Sequence, residues 1–245
     1  MTRRLALAVP MLLALVTTAC GSNKKLNPAG TTTTPSVYAA SSTSTSATSS
    51  SAPPTTATTP PTPSSTAIWP TAASGSRYHD PVVAARTFAI SYLHFVNPVV
   101  GVFQPGDAQS GEVAIRPVST GPVTTVIVRR LGTGGAWWVL GAATSNISIS
   151  EPAALAGIAS PVRLRGTSTA FEATVQVSIR QDDNSKALVE SYLMGGSNGR
   201  MGPFDATFDF VRPTSPYGAI VLYNVSSENG HVVEATAIRV RFSTP

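Results

Sequence analysis

Cysteine, histidine and charge are all scarce in this chain. Its one cysteine, Cys20, cannot form an intramolecular disulfide, so the fold must rest on apolar burial. The three histidines, His79, His94 and His231, stand in unrelated settings: a linker's end, the late part of a helix, and the residue after a hairpin turn. Such imidazoles suit solvation or a helix dipole better than shared proton transfer. No His-Glu-x-x-His helix occurs, no catalytic residue is assigned, and the chain reads as non-enzymatic. Asp182-Asp183-Asn184 offers oxygen ligands for calcium, but adjacent hairpin positions cannot all turn towards one ion. The triplet therefore reads as turn chemistry, and no metal is expected. Gly132-Thr-Gly-Gly135 is followed by a strand, where a phosphate loop would open a helix, so no cofactor is expected either.

Basic runs and membrane-spanning runs are also missing. Four of the 17 basic residues (Arg3, Arg4, Lys24, Lys25) precede residue 26, leaving 13 basic against 12 acidic groups in the rest of the chain. No basic run there exceeds Arg129-Arg130, which excludes a phosphate-tracking surface, and nucleic acid is not an expected partner. The apolar stretch Leu5 to Val16 is interrupted by Pro10. It is shorter than the ~20 residues that span a bilayer.

What stands at the N-terminus is the order of an export signal: Arg3-Arg4, the apolar stretch, then Thr17-Thr18-Ala19 before Cys20-Gly21. This order resembles a bacterial lipoprotein signal, with Thr17 in the place of the usual leucine. The resemblance implies that residues 1–20 are a lipoprotein signal cleaved just before Cys20, which is acylated (palmitate-type chains) and becomes the new N-terminus. The expected location is the outer face of the bacterial cell membrane or envelope, with the membrane itself a partner through the anchor. Residues 21–76 follow as a linker. From Asn27 to Ser76, 43 of 50 residues are Ser, Thr, Pro or Ala and none is charged. Such a composition cannot offset its chain entropy by burial and predicts a disordered spacer.

The remainder predicts two small units: 77–145, one helix on a three-stranded antiparallel sheet, and 146–245, a seven-stranded β-sandwich. The fold class is thus mainly β. Asp80-Pro81 opens the helix, Ala85, Phe88, Ala89, Tyr92, Phe95 and Val96 form its apolar face, and Asn97-Pro98 ends it. Strands are expected over 112–116, 124–131 and 136–143, with Trp137 and Trp138 on opposite faces. Seven alternating runs follow, over 147–151, 162–167, 173–180, 186–194, 204–211, 219–226 and 232–242. In the last run the apolar parity changes between Ala235 and Ile238, which predicts a bulge or a loss of regular inward packing near Ala237.

Three segments then carry a family resemblance: Ile149-Ser-Glu-Pro152, Ile158-Ala-Ser-Pro161-Val-Arg-Leu-Arg-Gly166, and Ala170-Phe-Glu-Ala-Thr-Val175. They resemble the immunoglobulin-like domain associated with bacterial spore germination (the Gmad type), as does the closing Ile238-Arg-Val-Arg-Phe242. The resemblance implies an immunoglobulin-like sandwich and no defined reaction. Phe171 is expected in the core with Val175, and Glu172 is expected to bind a backbone amide or Arg163 or Arg165. The function expected from all this is non-catalytic binding of an envelope protein or a cell-wall glycan. Two alternatives are a carrier of an apolar ligand, held by Phe88, Tyr92, Phe95, Phe103 and Trp137 or Trp138, and, behind it, an envelope enzyme acting on glycans.

Overall fold

The computed structural model describes residues 62–243; Cys20, the leader and the first part of the linker lie outside the described residues. Two helices, α1 (Pro63–Thr66) and α2 (Pro81–Ser91), precede thirteen strands. The first four are β1 (Val99–Pro105), β2 (Ser110–Arg116), β3 (Thr124–Leu131) and β4 (Ala136–Thr144). The next five are β5 (Ile147–Glu151), β6 (Gly157–Ile158), β7 (Val162–Ala170), β8 (Thr174–Gln181) and β9 (Val189–Met194). Last come β10 (Gly196–Ser197), β11 (Gly202–Phe208), β12 (Tyr217–Val225) and β13 (Val232–Phe242). All seven expected runs of the second section are strands; β1 is an addition to the three expected before them.

The long sheet runs β1-β2-β3-β4-β13-β12-β8-β9, and β5, β7 and β11 pair among themselves as the facing layer of an immunoglobulin-like sandwich. One sheet thus carries both sections of the chain. Its middle strands bury both faces, because period-two alternation sends neighbouring residues to opposite sides. Ala219 and Val221 of β12, with Ala235 and Ala237 of β13, join Phe88 and Ala85 in the core under α2. Ile220 and Leu222, with Val240 and Phe242, join Val177, Leu164 and Phe204 in the sandwich core.

This double burial explains the parity change in β13: of the two outcomes expected near Ala237, no bulge forms, and the apolar residues pass from one core to the other. Pairing of β12 with β13 runs in register from Tyr217–Arg241 to Asn224–Glu234, and Ala237 also pairs with Ala142 of β4. The one shift lies between Asn224 and Val225. The apolar residues change parity because the strand changes which core it supplies most heavily.

Helix α2 starts as expected: Asp80 Oδ1 accepts from the Val82 and Val83 amides at 2.7 and 3.0 Å, with Pro81 at the first helical position. It ends at Ser91, six residues before Asn97. Leu93 and Phe95 are both buried, and two residues apart on a helix they would face ~200° apart. The chain satisfies both by leaving the helix, with His94 at φ 65°, and Val96 is left exposed.

A second correction concerns residues 62–76, expected within the disordered linker. They are folded: the Ile68 amide donates to the Val139 carbonyl at 2.8 Å, and the Val139 amide to the Trp69 carbonyl at 2.7 Å. Ile68 is 1% exposed and Trp69 lies 6.0 Å from the Tyr92 ring. Two large apolar side chains suffice to order a segment otherwise rich in Ser, Thr and Ala. Trp137 and Trp138 do face opposite ways. Trp137 meets Phe103 edge-on at 5.1 Å in the core under α2, and Trp138 packs with Ala67 beneath the Arg77 guanidinium.

Candidate functional site

Phe171 sits in the turn between β7 and β8, followed by two non-glycine residues in the left-handed region, Glu172 (φ 53°) and Ala173 (φ 61°). That conformation costs roughly 1–2 kcal/mol per residue for L-amino acids. Its result is to turn Phe171 outwards, 62% exposed, while Val175 is fully buried. Phe171 is therefore not a core residue, and Glu172 is not a partner of the arginines. Arg163 makes a two-pronged pair with Asp205 at 2.7 and 2.6 Å, and Arg165 lies between Asp205 and Glu151. The Arg163 hydrogen bonds hold the Asp205 carboxyl below the usual carboxylate range. The sequence pattern could not show this, because the two left-handed residues break the strand alternation and leave both Phe171 and Glu172 exposed.

Phe171 borders two recesses, of about 360 and 440 Å³, that share Ala170, Phe171 and Asn224. Beneath the larger lies a polar layer closing this end of the sandwich. Asn224 and Glu234 are directly paired on β12 and β13, Thr144 ends β4, and Asn146 occupies the turn before β5. Glu234 is 3% exposed. The Thr144 hydroxyl donates to its Oε2 at 2.5 Å, and the Asn224 amide donates to its Oε1 at 2.8 Å. The Asn146 amide lies 3.1 and 3.0 Å from the two oxygens. Every donor is a neutral side chain, and no ion pair among the described residues includes Glu234. Asn224 Oδ1 and the Thr169 hydroxyl are buried there without a hydrogen-bond partner, although both residues line the recess.

Two other concave places differ in character. A cleft of about 320 Å³ beside the end of α2 contains Tyr92, His94, Arg180 and Glu190. Its groups hold one another: Arg180 donates to the Tyr92 carbonyl at 2.6 Å and to the Ser178 hydroxyl at 2.8 Å, and Ser178 donates to Glu190 at 2.7 Å. Burial pushes the Tyr92 phenol up to about 12, against the pull of Arg180. Partial burial, then Arg180, lowers the His94 imidazole. The second place is an apolar groove of about 490 Å³ on the face of β3 and β4 opposite α2, with Ile127, Leu140 and Leu155 in its walls. The aromatics expected to hold an apolar ligand pack on each other instead, Phe88 stacking on Tyr92 at 5.3 Å, while Trp138 lies on the far face.

His79 and His231 are exposed and far apart along the chain, and the Asp182-Asp183-Asn184 turn directs its first carboxylate to Arg239. Gly195-Gly-Ser-Asn-Gly199 has the spacing of a nucleophile elbow, and sequence reasoning passed it over. It forms the turn from β10 towards β11, with no helix after it, and so lacks the strand-turn-helix frame that exposes such a serine. Asn198 and Gly199 belong to the wall of the recess.

Residues 146–231 match the model of the immunoglobulin-like domain of bacterial spore germination. The match begins at Asn146 and stops just before β13, so Asn146 and Asn224 of the Glu234 carboxylate network lie within it and Thr144 and Glu234 lie just outside. No curated protein and no solved structure matches the chain.

Proposed function

We propose that this chain is an exported, lipid-anchored envelope protein whose immunoglobulin-like section binds a cell-wall glycan without catalysis. The observation that carries the reading is Phe171. A strained turn holds an aromatic ring in solvent over a recess walled by amides and hydroxyls, the pairing of apolar platform and polar groups that a sugar ring needs. Acylation of Cys20, export and the spacer supply the address and reach.

Purified cell-wall glycan should retain the wild-type protein and release Phe171→Ala, with equal folding of both by circular dichroism. Equal retention would reject the site. Cys20→Ala should move the protein from membrane to medium, and unchanged membrane retention would reject the anchor. The groove beside Ile127 and Leu155 supports a second reading, an apolar-ligand carrier on the opposite face of the sheet from the one expected.

A further inference from the structure

The Phe171 recess ends on a negative group that nothing positive neutralises. A buried carboxylate ordinarily has a cationic partner, because burying charge is costly without one. Glu234 has four contacts and all are to neutral donors. Beside it, Asn224 (6% exposed) and Thr169 (7% exposed) each leave a buried oxygen unpartnered, and both residues line the same recess. A buried acceptor without a donor is costly to leave unmade. What this place lacks is therefore a group that brings hydrogen-bond donors and a positive charge together. Phe171 in the recess wall adds an aromatic ring, a group whose face attracts cations.

We infer that the recess takes the ammonium group of its ligand, and so selects a sugar bearing a free amine over its N-acetylated or neutral counterparts. This rests on the glycan-binding reading and names the feature that the site recognises. The ammonium donates to Asn224 Oδ1 and the Thr169 hydroxyl, its charge is balanced by Glu234, and the sugar's apolar face lies on Phe171. A hydroxyl in the same place carries a single O–H to donate and leaves the charge unbalanced. An acetamide would present one donor where two acceptors wait.

The test is an NMR titration of the full chain, following the side-chain amides of Asn146 and Asn224 and the Phe171 ring. The probes are propylammonium, glucosamine, N-acetylglucosamine, glucose and calcium chloride. Glucosamine and propylammonium should move these signals at concentrations where the neutral sugars do not. Glu234→Gln should weaken glucosamine binding by about tenfold, the loss expected when a charge-assisted hydrogen bond becomes a neutral one. Thr169→Val, of similar shape, removes one acceptor while sparing the carboxylate network, and should weaken it as well. That variant keeps the test alive if Glu234→Gln unfolds. Equal binding of glucose and glucosamine would overturn the ammonium inference and leave the glycan site standing. Binding of propylammonium without any sugar would uphold the inference and overturn the glycan reading. Shifts from calcium alone, or amine binding unaffected by both variants, would overturn the inference.

Discussion

Strand β13 buries two charged residues near its opposite ends, and they are treated in opposite ways. Arg239, 1% exposed, meets both oxygens of Asp182 at 2.5 and 2.6 Å and also donates to the Ser64 carbonyl of α1. It lies over the Tyr217 ring and fastens the N-terminal segment to the sheet. Glu234, five residues earlier and nearly as buried, has only neutral donors and looks onto a recess with two unpartnered oxygens. A buried charge with a counter-charge at hydrogen-bond distance is a structural joint, even though Arg239 Nε itself is left without a partner. A buried charge without one leaves a demand that an incoming group can meet. The difference separates an end of the sandwich that fastens the chain to itself from the end proposed to receive a ligand.

The largest effect should come from splitting the Arg239 pair. Asp182→Ala leaves a buried guanidinium without its carboxylate and should cost ~3–5 kcal/mol in urea unfolding. The double variant Asp182→Leu/Arg239→Met should recover most of that loss, and a double variant as unstable as the single one would show that the joint is more than its charge pair. Phe88→Ala, beneath α2 in the other core, should cost ~3–5 kcal/mol with a single unfolding transition. Two separate transitions would mean that the shared strands β12 and β13 do not couple the cores.

Smaller effects belong to the open end. Glu234→Gln exchanges an acceptor for a partial donor in a network of three side chains and should cost ~1–3 kcal/mol, with the loss of amine binding as its distinctive mark. Phe171→Ala should stay within ~0.5 kcal/mol of wild type, because the ring is in solvent, while glycan retention falls. The smallest effect is expected at the solvent-facing pair Arg163–Asp205. The Asp205 carboxyl is held below its ordinary range, so its contribution is present above the unfolded value and fades as pH falls. The gap in thermal midpoint between wild type and Asp205→Asn should therefore be small at neutral pH and close below pH ~4. A gap that widens on acidification would reverse the sign.

The legible parts of the fold were those governed by short-range pattern. Alternation located every long strand of the sandwich, and Asp80-Pro81 located the start of α2. Burial on two sides was harder to read. The parity change between Ala235 and Ile238 had no visible cause, because the second core that Ala235 and Ala237 join is supplied in part by residues over a hundred positions earlier. Ile68-Trp69 was the available clue that order begins before residue 77: they are the only large apolar pair between Ser41 and Ser76, and both now lie against β4. The candidate site was hardly legible. Phe171 fits a strand pattern until two left-handed residues turn it out, and the network around Glu234 joins side chains 10 to 90 positions apart.

The side-chain amide signal of Asn224 offers the most direct test of the division between closed joint and open recess. Under glucosamine it should shift in wild type and in a chain whose Arg239 pair has been replaced by Met and Leu, and stay still in Glu234→Gln. A shift that survives Glu234→Gln, or one that vanishes when only the Arg239 end is altered, would contradict the account.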